Sequence, residues 1–314
     1  MRLHHVIAGP LMAHLVVTRR CNLSCGYCYE ADRTSAHVPI TALRERIGHL
    51  RRLNTCFVTL TGGEPLLHPD AVELVAHTRS LGMTPVMNSN VYPLTLERIV
   101  ALGRAGLYAL QTSIDNVEPD GVTRKSLRPL LPKLELLAEH ATFRVRVNTV
   151  LGSGPPAVAV QVARAAIALG FDAKCSLVRD AKGRVIPLDA EGRRAYAELT
   201  ALEGRAPGYL SEDFQLALAD SGRVEWKCRS GARYFTVCDQ GLVHLCESSY
   251  GSPGTPLADY GEADLRRAWH TPKACASTCA VAYAHQLSRL DARRSQSAAS
   301  LDVVKQCWSE AAAS

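Results

Sequence analysis

The sequence predicts an α/β protein whose larger part is a parallel sheet rolled into a partial barrel. Short β-rich runs alternate with longer helical stretches through the first 180 residues, and turn glycines punctuate the junctions. The β-rich runs are 13–18 (AHLVVT), 56–61 (CFVTLT), 84–88 (TPVMN), 107–114 (LYALQTSI), 143–150 (FRVRVNTV) and 172–178 (DAKCSLV). Helical patterns fill 40–53, 69–81, 95–105, 126–140 and 157–169. Gly82, Gly106 and Gly170 each follow a helix and precede a strand, the usual C-terminal stop. Six β-α repeats imply right-handed crossovers and a parallel sheet. Eight would close a barrel; six leave it open.

In such sheets chemistry sits at the carboxyl ends of the strands. That rule picks out the loop bearing Cys21, Cys25 and Cys28 after the first strand and Gly62-Gly63-Glu64-Pro65 after the second. Asn88-Ser89-Asn90 follows the third strand, Ser113 and Asp115 the fourth. Asn148 lies on the fifth and Cys175 on the sixth.

At 314 residues the chain has room for a large domain and a smaller attachment. The expected division is a barrel over 1–185, a helical connector over 186–225 with a helix near 189–203, a cysteine-rich module over 226–285, and a helical tail over 286–314. The formal charge of +6 is modest, and its Arg and Lys residues are scattered as on solvated helix faces, so no nucleic-acid surface is expected. No run of eighteen apolar residues and no secretory signal pattern is present, which predicts a cytoplasmic protein without a membrane partner.

Eleven cysteines are unusual. In a cytosolic chain an odd number fits structural disulfides poorly. Three lie at 21–28 and six between 228 and 307, a distribution that suggests two metal sites. Cys56 begins a buried strand and reads as structural. The first set, C-x3-C-x2-C, lacks the fourth ligand of a closed zinc cage. Three thiolates suit a [4Fe–4S] cluster with one iron left open.

Cys21-x3-Cys25-x2-Cys28, with aromatic Tyr27 before the last cysteine, resembles the signature of the radical S-adenosylmethionine (SAM) superfamily. Gly62-Gly63-Glu64-Pro65 looks like the same family's GGEP motif. The resemblance covers roughly residues 10–180 and implies a partial (β/α)6 TIM-like barrel. It also implies that SAM chelates the open iron, and that the backbone and Glu64 of GGEP receive its amino group. One electron from a flavodoxin- or ferredoxin-type donor, passed through the cluster, then yields a 5′-deoxyadenosyl radical that abstracts hydrogen. Such a radical requires a closed, dry pocket. Asn88, Ser113, Asp115 and Asn148 are the candidate SAM contacts at the other strand ends.

Further along, Cys228 and Cys246 flank two β-rich runs around Asp239-Gln240-Gly241, which read as a hairpin bringing the two thiols together at its open end. Cys275-x3-Cys279 places two more thiols on one face of a helical turn. By count, these four satisfy zinc as well as a cluster. The spacing resembles the twitch domain, the short form of the SPASM extension of radical SAM enzymes, and implies one auxiliary [4Fe–4S] cluster. Cys238, inside the hairpin, is an alternative ligand, and Cys307 is left over.

Twitch-bearing aminocyclitol dehydrogenases resemble this layout, so the leading expectation is oxidation or epimerisation of a small polar metabolite. In an epimerase, Cys175 or Cys238 is the candidate hydrogen donor. The alternative substrate is a ribosomally made peptide. Many peptide-modifying relatives carry an N-terminal recognition domain, and a first strand near residue 13 leaves no room for one. A non-enzymatic iron–sulfur sensor is the third reading, and GGEP argues against it.

Overall fold

The computed structural model describes residues 9–28, 31–180, 183–202, 214–250 and 252–294. Six strands run parallel: β1 (Met12–Thr18), β2 (Phe57–Gly62), β3 (Thr84–Asn88), β4 (Ala109–Ile114), β5 (Arg144–Leu151) and β6 (Asp172–Leu177). Between them lie α1 (Ile40–Arg52), α2 (Ala71–Ser80), α3 (Leu96–Arg104), α4 (Leu127–His140) and α5 (Pro156–Ala168). The strand order β6-β5-β4-β3-β2-β1 makes each repeat a neighbour of the last, the partial barrel that the sequence predicts. Each helix buries one stripe; α1 does so with Leu43, Ile47 and Leu50, spaced at four and three residues. Gly82, Gly106 and Gly170 adopt φ of 76°, 85° and 80°, the left-handed stops expected after α2, α3 and α5.

Strand alternation gives the barrel two chemically different faces. On β4, Leu110, Thr112 and Ile114 are buried against the helices, while Ala109, Gln111 and Ser113 lie on the opposite, inner face. Cross-strand register carries this face round the barrel: Ser113 pairs with Asn148, and Asn148 with Lys174. The interior is therefore polar.

Past β6 come α6 (Ala190–Leu202), then α7 (Phe214–Ser221) in the expected connector. The Gln215 side chain of α7 serves the free edge of β6. It accepts from the Leu177 N–H at 2.9 Å and donates to the Cys175 carbonyl at 3.2 Å, as a further strand would.

The cysteine-rich segment is less separate than the sequence suggests. Its hairpin, β7 (Tyr234–Val237) and β8 (Leu242–His244), continues the barrel sheet, because β7 pairs in parallel with β1. An open barrel leaves the outer edge of β1 unpaired, and a hairpin satisfies it. A two-residue strand β9 (Thr255–Pro256) ends the nine-stranded sheet. α8 (Glu262–His270) and α9 (Ala282–Arg294) follow. Cys307 and the Ser/Ala-rich stretch at 295–300 lie outside the described residues. Among the described residues, no helix is long and apolar enough to cross a membrane.

Candidate active site

The loop after β1 is held from three sides. Its own backbone closes it, with Cys21 N–H donating to the Asp32 carbonyl at 2.8 Å and Cys28 N–H to the Cys25 carbonyl at 3.0 Å. From the end of β3, the Asn90 side-chain amide donates to Cys21 Sγ at 3.6 Å and to Asn22 Oδ1 at 2.8 Å. The loop after β4 contributes the third hold: Gly26 N–H donates to the Val122 carbonyl at 2.9 Å, and Thr123 Oγ1 lies 3.8 Å from Cys25 Sγ. None of the three thiols is in a disulfide. Burial raises the Cys21 thiol pKa, and the neighbouring Glu64, Cys28 and Cys25 add to the rise, so the three sulfurs sense one another. Such mutually repelling thiolates suit a positively charged metal group. The donor set fits a cluster held at three irons.

Gly62 and Gly63 sit where no side chain fits. A methyl on Gly62, whose φ is 127°, would strike the Thr18 carbonyl, and one on Gly63 the carbonyls of Arg19 and Arg20. The GGEP turn thus packs backbone to backbone against the start of the cysteine loop, with Gly63 N–H donating to Thr18 O at 2.8 Å and Glu64 N–H to Arg20 O at 2.9 Å.

Glu64 itself is fully buried. Its carboxylate accepts from Leu66 N–H (3.0 Å), Ser89 Oγ (2.7 Å) and Asn90 N–H (2.6 Å), stitching the end of β2 to that of β3. Burial pushes its pKa up to about 7, with those three hydrogen bonds opposing the rise. Much of the hydrogen-bonding capacity that the resemblance assigns to SAM is therefore spent inside the chain. Val91, just beyond, is held left-handed at φ 59°, a strained geometry for a β-branched residue, while its N–H donates to Ser89 Oγ at 2.9 Å.

Tyr27 donates to Asp115 Oδ2 at 2.5 Å. The same oxygen receives Thr123 Oγ1 at 2.8 Å and faces Lys125 Nζ at 3.6 Å. Burial of the hydroxyl end, then the Asp115 charge, raise the Tyr27 pKa well above the phenol range, although much of the ring is exposed. Asp115 thus latches the cysteine loop to the β4 loop. Ser113 and Asn148 stand side by side on the inner face, and Ser176 Oγ donates to Asn148 Oδ1 at 2.8 Å. Asn88 ends β3 with its Oδ1 buried and without a hydrogen-bond partner.

Two expected residues lie elsewhere. Cys175 alternates with Lys174 and Ser176, so its side chain falls on the helix-packed face among Ala173 and Leu177, 2% exposed. That phase turns the thiol away from the interior where a hydrogen donor is needed. Cys238 sits at the turn of the β7–β8 hairpin, where Arg46 of α1 donates to its carbonyl at 3.4 Å. Cys246, two residues past the Thr236–His244 pair, is at the other end. Cys238 is therefore displaced from the four-cysteine set by the length of the strand.

Of the other four thiols, three act on the fourth through their charge. The Cys279 pKa is pushed up to about 12, first by burial and then by Cys246, Cys228 and Cys275, with the Val281 N–H opposing. Among the described residues, no three His, Cys, Asp or Glu side chains close onto a single-ion site. Asn90, one of the expected strand-end candidates, holds the first loop together with Thr123, which sequence reasoning did not single out.

Residues 15–175 match the model of the radical SAM superfamily. The PqqA peptide cyclase of Methylocella silvestris is 26% identical over 280 residues, 84% of this chain and 74% of that protein. The GTP 3′,8-cyclase of Marinobacter nauticus is 34% identical over 152 residues, 45% of each chain. Among solved structures, SuiB of Streptococcus suis bound to its precursor peptide SuiA superposes with a TM-score of 0.65 at 15% identity, covering 86% of this chain and 67% of SuiB. The match covers only 30% of the PqqA peptide cyclase of Bradyrhizobium diazoefficiens, so the shared length differs widely among relatives. Family membership implies a [4Fe–4S] cluster and SAM as cofactors. With the family match spanning the barrel from β1 to β6, the chain belongs to the radical SAM superfamily.

Proposed function

We propose that this enzyme oxidises or crosslinks a ribosomally made peptide. One observation carries the reading: the similarity to a peptide cyclase runs over 280 residues, well beyond the family segment at 15–175 and into the part that bears the second cysteine set. The likeness to the GTP cyclase covers under half of the chain. The small-metabolite expectation therefore has weaker support than the peptide.

When bound, the cluster and SAM supply a primary carbon radical that takes hydrogen from the substrate. Cys21, Cys25 and Cys28 hold the cluster, and the Gly62–Pro65 turn with Asn88, Ser113 and Asn148 lines the SAM side. Tyr27 and Asp115 close the loop over it and limit water. Cys228, Cys246, Cys275 and Cys279 hold one auxiliary [4Fe–4S] cluster. A flavodoxin- or ferredoxin-type protein of the cytoplasm supplies electrons.

The test is anaerobic reconstitution with iron, sulfide, SAM and dithionite, followed by co-expression with short open reading frames from the same gene neighbourhood. We expect 5′-deoxyadenosine, and a peptide lighter by the mass of two hydrogens. Absence of 5′-deoxyadenosine would end the radical reading. Its formation with every neighbouring peptide unaltered would end the peptide reading.

A further inference from the structure

A side chain from the C-terminal segment reaches across the barrel floor. Tyr283 stands at the second position of α9, four residues past Cys279. Its ring meets His14 of β1 edge-on, with centroids 5.2 Å apart. Its hydroxyl lies 3.4 Å from Gln111 Oε1 of β4, and Lys174 Nζ of β6 sits 5.3 Å from the ring centroid. One residue thus touches inner-face groups of three strands on both sides of the barrel.

The neighbours under it are packed and polar. His14 is 4% exposed, meets Tyr234 edge-on at 5.0 Å, and has its Nδ1 3.2 Å from the Tyr234 hydroxyl. That hydroxyl also donates to Glu247 Oε2 at 3.3 Å, beside Cys246. Tyr234 forms a small cluster with Val281 and Ala284, against which Cys246, Cys279 and Tyr283 pack. The Tyr283 ring is therefore wedged between the second cysteine set and the barrel interior, while the ring itself remains only partly buried.

We propose that Tyr283 is the floor of the substrate chamber and a specificity-determining contact, placed there by the second cysteine set. The chemistry it presents is an aromatic face with a hydroxyl beside an amide and an ammonium, Gln111 and Lys174. That combination takes an uncharged, hydrogen-bonding peptide group lying flat on the ring. The assignment rests on reading the four C-terminal cysteines as a cluster site and the substrate as a peptide.

The experiment has two arms. In the first, fluorotyrosine is placed at position 283 of a full-length variant with Cys21, Cys25 and Cys28 replaced by Ala, and its fluorine NMR resonance is followed while iron and sulfide are added. We expect the resonance to move and sharpen, and that change to vanish when Cys275→Ser and Cys279→Ser are added. A resonance indifferent to loading, or one that moves equally without those two thiols, overturns the coupling. In the second arm, wild type, Tyr283→Phe and Tyr283→Ala are compared on a pool of random short peptides. The Ala variant is expected to change which peptides are modified and to lose about tenfold or more in kcat/KM, the scale at which one pocket contact discriminates. The Phe variant, which keeps the ring, is expected to retain the preference. Unchanged profiles in both variants overturn the floor assignment. If wild type modifies no peptide, the peptide reading falls, and the fluorine resonance alone decides whether Tyr283 answers to the second cysteine set.

Discussion

The two cysteine sets lie at opposite ends of one strand and are built in opposite ways. The first leaves β1 at its carboxyl end within eight residues of sequence, Cys21 to Cys28. The second gathers beside the amino end of β1, where Tyr234 pairs with Met12, and draws its thiols from 228 to 279. A strand of this length separates them by about 20 Å at ~3.3 Å per residue. The first set is contiguous but depends on loops from other strands, through Asn90, Val122 and Thr123. The second is dispersed but mostly packed, with Cys228 buried, Cys246 and Cys279 partly so and Cys275 exposed. A loop held at its rim suits a site that must open to SAM. A mostly packed set suits one that stays closed.

The sharpest way to break this contrast is to remove one thiol from each set. Cys28→Ala should reduce 5′-deoxyadenosine below detection while iron bound at the second set persists. Cys279→Ala should leave SAM cleavage measurable and abolish peptide modification. Iron content, electron paramagnetic resonance and product analysis read both variants together. If Cys279→Ala also silences SAM cleavage, the two sets are not separable and the closed-site interpretation fails.

The difference between the sets also explains what the sequence made legible. The barrel repeats and the first cysteine loop are local patterns, and helix periodicity or residue spacing suffices to find them. The β7–β1 pairing is not local: a hairpin signal identifies two strands without saying which edge they join. That pairing decides that Cys238 sits at the turn, away from Cys246. The phase of Cys175 was readable, since Asp172, Lys174 and Ser176 alternate with Ala173, Cys175 and Leu177. Strand-end position alone suggested an active residue there, and the polar–apolar alternation corrects it. The role of Glu64 as a stitch between β2 and β3 required the fold, because its partners Ser89 and Asn90 are a whole repeat away.

A smaller effect tests whether the first loop depends on close backbone contact. Gly63→Ala places a methyl against the carbonyls of Arg19 and Arg20, which lie in the chain leading to Cys21. Overpacking of this kind costs about 1–3 kcal/mol. Thermal melting should fall accordingly, and SAM affinity should weaken because the loop must shift. The second set should still load iron normally. A wild-type melting temperature and SAM affinity in this variant would show that the turn has slack the geometry denies.

The subtlest comparison uses protons, one group at each end of β1. Burial holds the Glu64 carboxyl at about 7 instead of its ordinary 4.5. A raised carboxyl binds its proton more tightly folded than unfolded, so its stabilising contribution is present below about 4.5 and is lost as pH rises toward 7. Burial acts on His14 in the other direction, lowering it from 6.5 to about 4. Its stabilising contribution is present above 6.5 and is lost as pH falls toward 4. Each shift is on the order of 3 kcal/mol at most, at ~1.4 kcal/mol per pH unit. Across that window the two nearly cancel in the apoprotein, which hides both. Single variants uncover them: Glu64→Gln should become more stable relative to wild type as pH rises from about 5 to about 7, and His14→Asn less stable relative to wild type over the same interval. Parallel melting curves for all three proteins would mean that neither group is perturbed by burial. Opposite slopes would show that the SAM end of β1 holds a carboxyl against its charge, while the other end holds an imidazole against its own.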